Sequence, residues 1–292
     1  MRQNWTDQQY RDEESRRRFL KEITALTGWT VVTGATAFQG PMEAIAGDKA
    51  NADKGFGGIK GRILLDGEVP ERKEIDLSTA ALNSEDLKWF RSMGPILNED
   101  WVVDPKTHAV RWVYVWLIPE DKKGSLTPHE SLTSVKAQEK VVPIDQEPTG
   151  YVPHAVAIRE GQNILMRNKG PVAHVFSLQG FSNPSKNTAM PPGSEIPVTD
   201  LVAERAPIKI SCPPHPWERM SLRVFDHPYF AVTNADGEFE FKMVPSGPCR
   251  LIVWHETLGF HGGRQGRYGS LVNVEGAAVT DLGEIKIKTQ TA

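Results

Sequence analysis

Cys212, His215 and Met220 lie within nine residues of one another in the run Ser211-Cys212-Pro213-Pro214-His215-Pro216-Trp217-Glu218-Arg219-Met220. Upstream, Arg167-Asn168-Lys169-Gly170-Pro171-Val172-Ala173-His174 places a second imidazole at the start of a predicted strand. Two imidazoles, one thiolate and a weak thioether are the ligand set of a type 1, or blue, copper site. Thiolate and thioether stabilise Cu(I), and imidazoles serve both oxidation states, so the ion reorganises little when one electron moves. A proline-rich turn between two strands can present Cys212, His215 and Met220 together, while His174 must come from a distant strand. The metal then depends on the fold. The plainer reading of Cys212 is a buried structural thiol, or a Cys212–Cys249 bridge if the protein is exported. His174 alone would be an ordinary strand histidine, and it gains meaning by completing the set. His227, His255 and His261, with Asp226 and Glu256, fit no ligand spacing and read as structural hydrogen-bonding groups, as does His154.

The elements that must hold these residues are mostly strands. Gly58–Leu65 leads into the turn Asp66-Gly67, and Val110–Ile118 is rich in Val, Trp and Tyr and ends at a proline. Between them, 71–100 reads as helical or irregular, with Ser84-Glu85-Asp86 opening a short helix. The polar stretch 119–149 reads as a surface connection. Short strands then recur at Ala155–Ile158, Asn163–Arg167, Val172–Leu178, Ile208–Ser211 and Leu222–Phe225. Tyr229–Thr233 and Glu238–Met243 flank the hairpin turn Asn234-Ala235-Asp236-Gly237, and Leu251–Trp254, Ser270–Val274 and Ile285–Lys288 follow. This spacing predicts an all-β protein of two β-sandwiches.

Composition removes other classes. The 292 residues carry 34 basic and 37 acidic side chains, net charge -3, with no electrostatic footprint for nucleic acid. Two cysteines exclude a disulfide-dense scaffold, and a mean hydropathy of -0.40 argues against a polytopic membrane protein. Phosphate-binding glycine loops, HExxH and GxSxG are missing, which weakens kinase, dehydrogenase and hydrolase readings. No His-x-His pair occurs, so a trinuclear copper cluster is excluded as well.

The N-terminus reads as an export address. Ser15-Arg16-Arg17-Arg18-Phe19-Leu20-Lys21 precedes an uncharged stretch, Ile23–Met42. The paired arginines before Phe-Leu-Lys resemble the twin-arginine export signal. The threonines and glycines of the stretch make a poor permanent anchor, and Ala44-Ile45-Ala46 and Ala50-Asn51-Ala52 offer cleavage sites. Residues 1–46 are expected to be a signal peptide, leaving a periplasmic protein with no permanent membrane span.

Cys-x2-His-x4-Met with an upstream His resembles the cupredoxins, such as plastocyanin, and the Pro-Pro-His-Pro-aromatic run is similar to the amicyanin ligand loop. The wider stretch resembles bacterial exported cupredoxin-like proteins of the methylamine-utilisation type. It carries His215-Pro216-Trp217, Asp226-His227-Pro228-Tyr229-Phe230-Ala231-Val232-Thr233 and Trp254-His255-Glu256-Thr257-Leu258-Gly259. Ile59–Gly67, Trp112–Ile118 and Tyr229–Lys288 look like a transthyretin-like, carboxypeptidase-regulatory-like sandwich. The resemblance implies a cupredoxin Greek-key sandwich over 142–227, inserted into a discontinuous outer sandwich of 56–141 plus 228–289. It implies one copper ion on His174, Cys212, His215 and Met220, with His215 reaching the surface beside Trp217. Two positions depart from the pattern. Val175 stands where many cupredoxins place an asparagine that ties the ligand loops together, and Glu218 stands at the amicyanin methionine position.

The expected function is that of a periplasmic single-electron carrier with a protein redox partner, and not an enzyme. The alternatives are a metal-free sandwich that binds glycan or protein, and a copper delivery or storage protein.

Overall fold

In the computed structural model, residues 55–80, 82–135 and 140–288 are described. The signal peptide expected over 1–46, with its arginine pair and cleavage sites, lies outside them. Seventeen strands, two short α-helices and two single turns of 3-10 helix run through the described residues, and no helix among these residues is long and apolar enough to cross a membrane.

One β-sandwich is built from the two ends of the described chain. Its first sheet has the order β13-β1-β17, from β1 (Phe56–Leu65), β13 (Glu238–Pro245) and β17 (Val279–Ile287). Its second has the order β12-β2-β14-β15, from β2 (Tyr114–Pro119), β12 (Phe230–Val232), β14 (Gly247–His255) and β15 (Gly259–Phe260), with β16 (Ser270–Val274) also paired to β14. Ile59, Ile63, Val115, Leu117, Phe241 and Val253 fill the space between the sheets, with Cys249 among them. The turn before β13 needs glycine at 237, where φ is 73° and a Cβ would run into the Ile63 carbonyl oxygen.

The middle of the chain forms a second sandwich. One sheet has the order β5-β11-β10-β7-β8, from β5 (Ala155–Arg159), β7 (His174–Gln179), β8 (Lys186–Met190), β10 (Ile208–Cys212) and β11 (His215–Phe225). The other has the order β4-β3-β6-β9, from β3 (Val141–Glu147), β4 (Gly150–Val152), β6 (Asn163–Asn168) and β9 (Glu195–Val198). Alternation along the strands sends Phe176 and Leu178, Ile208 and Ile210, and Met220, Leu222 and Val224 into the core between these sheets. The other face of β11 meets the first sandwich. Tyr114, Trp116, Phe225 and Ile252 pack there, and the Tyr114 hydroxyl donates to the Ser221 carbonyl at 2.7 Å.

Several local expectations change. The polar stretch 119–149 contains β3, which lies parallel to β6 in full register from Val141/Asn163 to Gln146/Asn168. Its Asp145 looks like a surface residue but is buried against Arg167 at 2.5 Å and Lys169 at 2.8 Å. The strand expected from Val110 begins only at Tyr114, after Trp112 adopts φ 67°. β11 begins at His215, well before the expected Leu222.

A helix, α1 (Ser84–Ser92), lies in the segment where one was expected to open. Asn83 caps it, its side-chain oxygen accepting from the Glu85 and Asp86 amides at 2.9 and 2.8 Å. The only strongly apolar stripe is Trp89-Phe90. Phe90 is buried with Ile96, Val172 and Trp217 at one end of the middle sandwich. The second helix, α2 (Gly263–Gly266), is a single turn near β15.

Candidate metal centre

Three adjacent strands end at one place. β7 starts with His174, β10 ends with Cys212 and β11 starts with His215, and in the sheet they are neighbours in the order β11-β10-β7. Cys212 pairs with His215, so the link between their strands is only Pro213-Pro214, and the register then shifts, because the next pair is Ser211 with Arg219 and Pro216, Trp217 and Glu218 bulge out of the ladder. Two prolines there supply no N–H and hold φ near one value, which stiffens a turn already closed by the ladder. Glu218 therefore lies in the bulged start of β11, ahead of Met220, Leu222 and Val224 on the same strand.

Four donor groups converge. The Glu218 Oε2 is 2.8 Å from His174 Nδ1 and 3.0 Å from His215 Nδ1. The two imidazole nitrogens are 3.0 Å apart. Cys212 Sγ is 3.5 Å from His215 Nδ1 and 3.9 Å from His174 Nδ1. Each group is buried, Glu218 and Cys212 at 0% exposure. Met220 is also buried, but one step deeper on β11, among the core side chains between the sheets. The structure thus brings together His174, Cys212 and His215 of the expected set and adds Glu218.

The environment suits a cation. Burial, and then the negative charge of Glu218, push the Cys212 thiol up to about 12. Burial first, then the charges of Cys212 and Glu218, raise the Tyr151 phenol as well. The second Glu218 oxygen, Oε1, and the Tyr151 hydroxyl are both buried with no hydrogen-bond partner. A buried carboxylate with an orphaned oxygen beside a thiol is costly unless a positive charge joins it. Donor atoms 2.8–3.9 Å apart are close enough together for one ion to be shared among them. The residues present fit a metal ion.

Their supports are explicit. The Val175 amide donates to Cys212 Sγ at 3.3 Å, so backbone ties the two ligand segments where the asparagine of the cupredoxin pattern is missing. Asn168, buried, donates to the Val172 and Met190 carbonyls at 2.8 and 2.9 Å and accepts from the Gly170 amide at 3.0 Å. That fixes the loop leading into His174. Gly150 of β4 lies against Glu218 and adopts φ 122°, a conformation that favours glycine, although a Cβ there would make only an ordinary 3.6 Å contact with the Glu218 Cα.

The site is roofed. The Phe90 ring meets His215 edge-on at 5.3 Å and Trp217 at 5.2 Å, and Trp89 stacks edge-on against Phe90 at 4.9 Å. Trp217 donates from Nε1 to the Pro148 carbonyl at 3.1 Å. His215 is 2% exposed, so the exposed loop histidine expected from the cupredoxin resemblance does not occur here: α1 covers it. Phe90 and Asn168 are site residues that sequence reading did not single out. Asn168 stands in a quoted run with no distinguishing signal, and Phe90 belongs to a segment with no spacing relation to the ligands.

Cys249 packs in the core of the first sandwich, and two of the other histidines accept from backbone amides. Cys212 and Cys249 are both free thiols, in separate sandwiches, so the bridge between them is not made. His227 Nδ1 accepts from the Tyr229 amide at 3.1 Å, and His255 Nδ1 from the Thr257 amide at 3.2 Å.

No protein-family model matches the chain, and no curated protein does either. Among solved structures the chain is similar to amicyanin from Paracoccus versutus, with 21% identity over 32% of this chain and 95% of that one, at a TM-score of 0.27. A Cu(I) form of an amicyanin variant gives 17% identity over 30% and 83%, also at 0.27. A purple cupredoxin from Nitrosopumilus maritimus gives 17% over 28% and 98%, at 0.25.

Proposed function

We infer that the middle sandwich binds one copper ion between His174, Cys212, His215 and Glu218 and serves as a single-electron carrier. The observation that carries this reading is the convergence of one thiol, two imidazole Nδ1 atoms and one carboxylate, all buried, with the second carboxylate oxygen left without a partner. Copper, when bound, supplies the Cu(I)/Cu(II) couple. Cys212 contributes the soft thiolate and the imidazoles the borderline donors that both oxidation states accept. Glu218 occupies the position of the weak fourth donor, and its charge favours the more oxidised ion. The paired strands and the Asn168 and Val175 hydrogen bonds keep the donors in place as the charge changes. The roof of Phe90 and Trp217 shields the buried donors from solvent, which supports electron transfer across the aromatic edge over catalysis or ready metal exchange. In this reading the protein works in the periplasm, exported through the arginine pair at 16 and 17, with a protein redox partner.

The test is Cu(II) titration of the purified protein. One equivalent should produce an intense thiolate-to-copper band that is missing in Cys212→Ala and kept in Cys249→Ala. A colourless protein that takes up zinc instead, or a coloured Cys212→Ala variant, overturns the reading. For export, Arg16→Lys with Arg17→Lys should retain precursor in the cytoplasm, and normal periplasmic accumulation would count against the route.

A further inference from the structure

A second group of metal-ligating side chains lies on the opposite face of β11. Asp100, His154 and Glu256 come from three segments far apart in sequence, yet one donor atom from each falls within 4.8 Å of the others. His154 Nε2 touches Glu256 Oε1. Their backbones are tied to one another and to β11: the Thr257 hydroxyl donates to the Asp100 carbonyl at 2.7 Å, and the Ser221 amide donates to the His154 carbonyl at 3.1 Å. The His154 ring is buried at the seam of the two sandwiches, while both carboxylates are partly open. A cleft of about 390 Å³ leads to them, lined by Asp100, Glu256, Thr257, Arg219 and Ser221 among others.

We propose that Asp100, His154 and Glu256 form a second, solvent-accessible site for a divalent first-row transition ion. One imidazole with two carboxylates is a borderline-to-hard donor set, suited to Mn(II), Fe(II), Co(II) or Zn(II) more than to Cu(I). Three protein ligands, two of them lining an open cleft, leave coordination positions free, which is the arrangement of a reactive site and not of a closed structural one. Arg219 grips Asp100, with Nε donating to Oδ1 at 2.7 Å and the Nη2 group paired to Oδ2. That pairing orients the carboxylate and does not exhaust it, because a carboxylate has about four lone-pair positions and Arg219 uses two. Arg219 also stands next to Glu218 in the chain, so one peptide unit joins the two clusters through opposite faces of the same strand. The rival account of these four side chains is a pair of ion pairs, His154 with Glu256 and Arg219 with Asp100, with no ion.

Co(II) titration of the full chain separates the accounts, because the Cys212 cluster gives a thiolate charge-transfer band and the nitrogen–oxygen site gives weak visible bands alone. The wild-type protein should take up about two equivalents. His154→Ala and Glu256→Gln should each keep the thiolate band, which reports an intact fold in the same sample, and lose the weak-band equivalent. The loss in affinity should exceed the roughly 10–100-fold that changes outside the ligand shell produce. Uptake of a single equivalent by the wild type, or a weak-band equivalent that survives both substitutions, overturns the second site. A missing thiolate band with a weak-band equivalent that still depends on Glu256 leaves this site standing and removes the copper reading instead.

Discussion

Replacing Glu218 with glutamine keeps the size and one carbonyl oxygen of the side chain and removes its charge. The carboxylate charge is spread over two oxygens, one of which is 2.8–3.0 Å from the imidazole nitrogens that would share the ion, and with a metal–oxygen bond of about 2.0–2.2 Å the centre of that charge would lie about 3 Å from the ion. With an effective dielectric constant of about 20, one unit of charge at that distance changes the energy by about 5 kcal/mol. For a one-electron couple, 59 mV corresponds to a tenfold change in equilibrium, about 1.4 kcal/mol, which converts this to roughly 200 mV. The sign follows from charge: an anion stabilises Cu(II) over Cu(I), so Glu218→Gln should raise the potential. The figure is an upper bound, since the amide oxygen retains part of the dipole. Met220 provides the control. Met220→Leu conserves volume in the core and should cost less than about 1.5 kcal/mol of stability, leaving the copper spectrum and potential almost unchanged. Potentiometry following the visible band, with electron paramagnetic resonance of both variants, is the assay. If Met220→Leu shifts the potential and Glu218→Gln does not, the thioether is the fourth donor and the electrostatic reasoning fails.

Three further outcomes are expected. Phe90→Ala opens a cavity over His215 and should cost about 3–5 kcal/mol of stability; with the roof gone, a chelator should strip copper faster, and an unchanged release rate would show that α1 does not gate the ion. Asn168→Ala leaves the buried Val172 and Met190 carbonyls without that donor, so a loss of about 1–3 kcal/mol per orphaned group should appear in urea unfolding together with weaker copper binding; wild-type affinity would show that His174 is held by other means. Burial holds His227 down at about 4 and His255 at about 3, so both are neutral in the fold but take a proton near 6.5 when unfolded. Stability is therefore full above pH about 6.5 and falls as pH drops toward 4, by about 3 kcal/mol for His227 alone; urea-unfolding free energies that stay flat between pH 7 and 5 would contradict this.

How much of this was legible in the sequence depends on how local each feature is. Cys212, His215 and Met220 lie within one short run, so their types and spacing already announced a metal-type cluster, and His174 could be added because it stands in a strand-like run and completes the set. The sandwich class was readable from short β-rich runs separated by turn residues. Whether Glu218 or Met220 stands beside the two imidazoles was not. Glu218 and Met220 are two apart in the chain, so a strand period of two cannot separate them. Only the fold places them differently: the register shift between Ser211/Arg219 and Cys212/His215 leaves Glu218 beside the imidazoles, while Met220 packs among the core side chains. β3 was hidden because Asp145 is a polar residue whose burial is offset by Arg167 and Lys169 on neighbouring chain, a compensation no local pattern displays. The roof over His215, and the meeting of Asp100, His154 and Glu256, join segments with no sequence relation to one another. Residue type fixes what a side chain can coordinate, but which side chains share a volume is set by strand register and by packing between sheets, and those are properties of the whole folded chain.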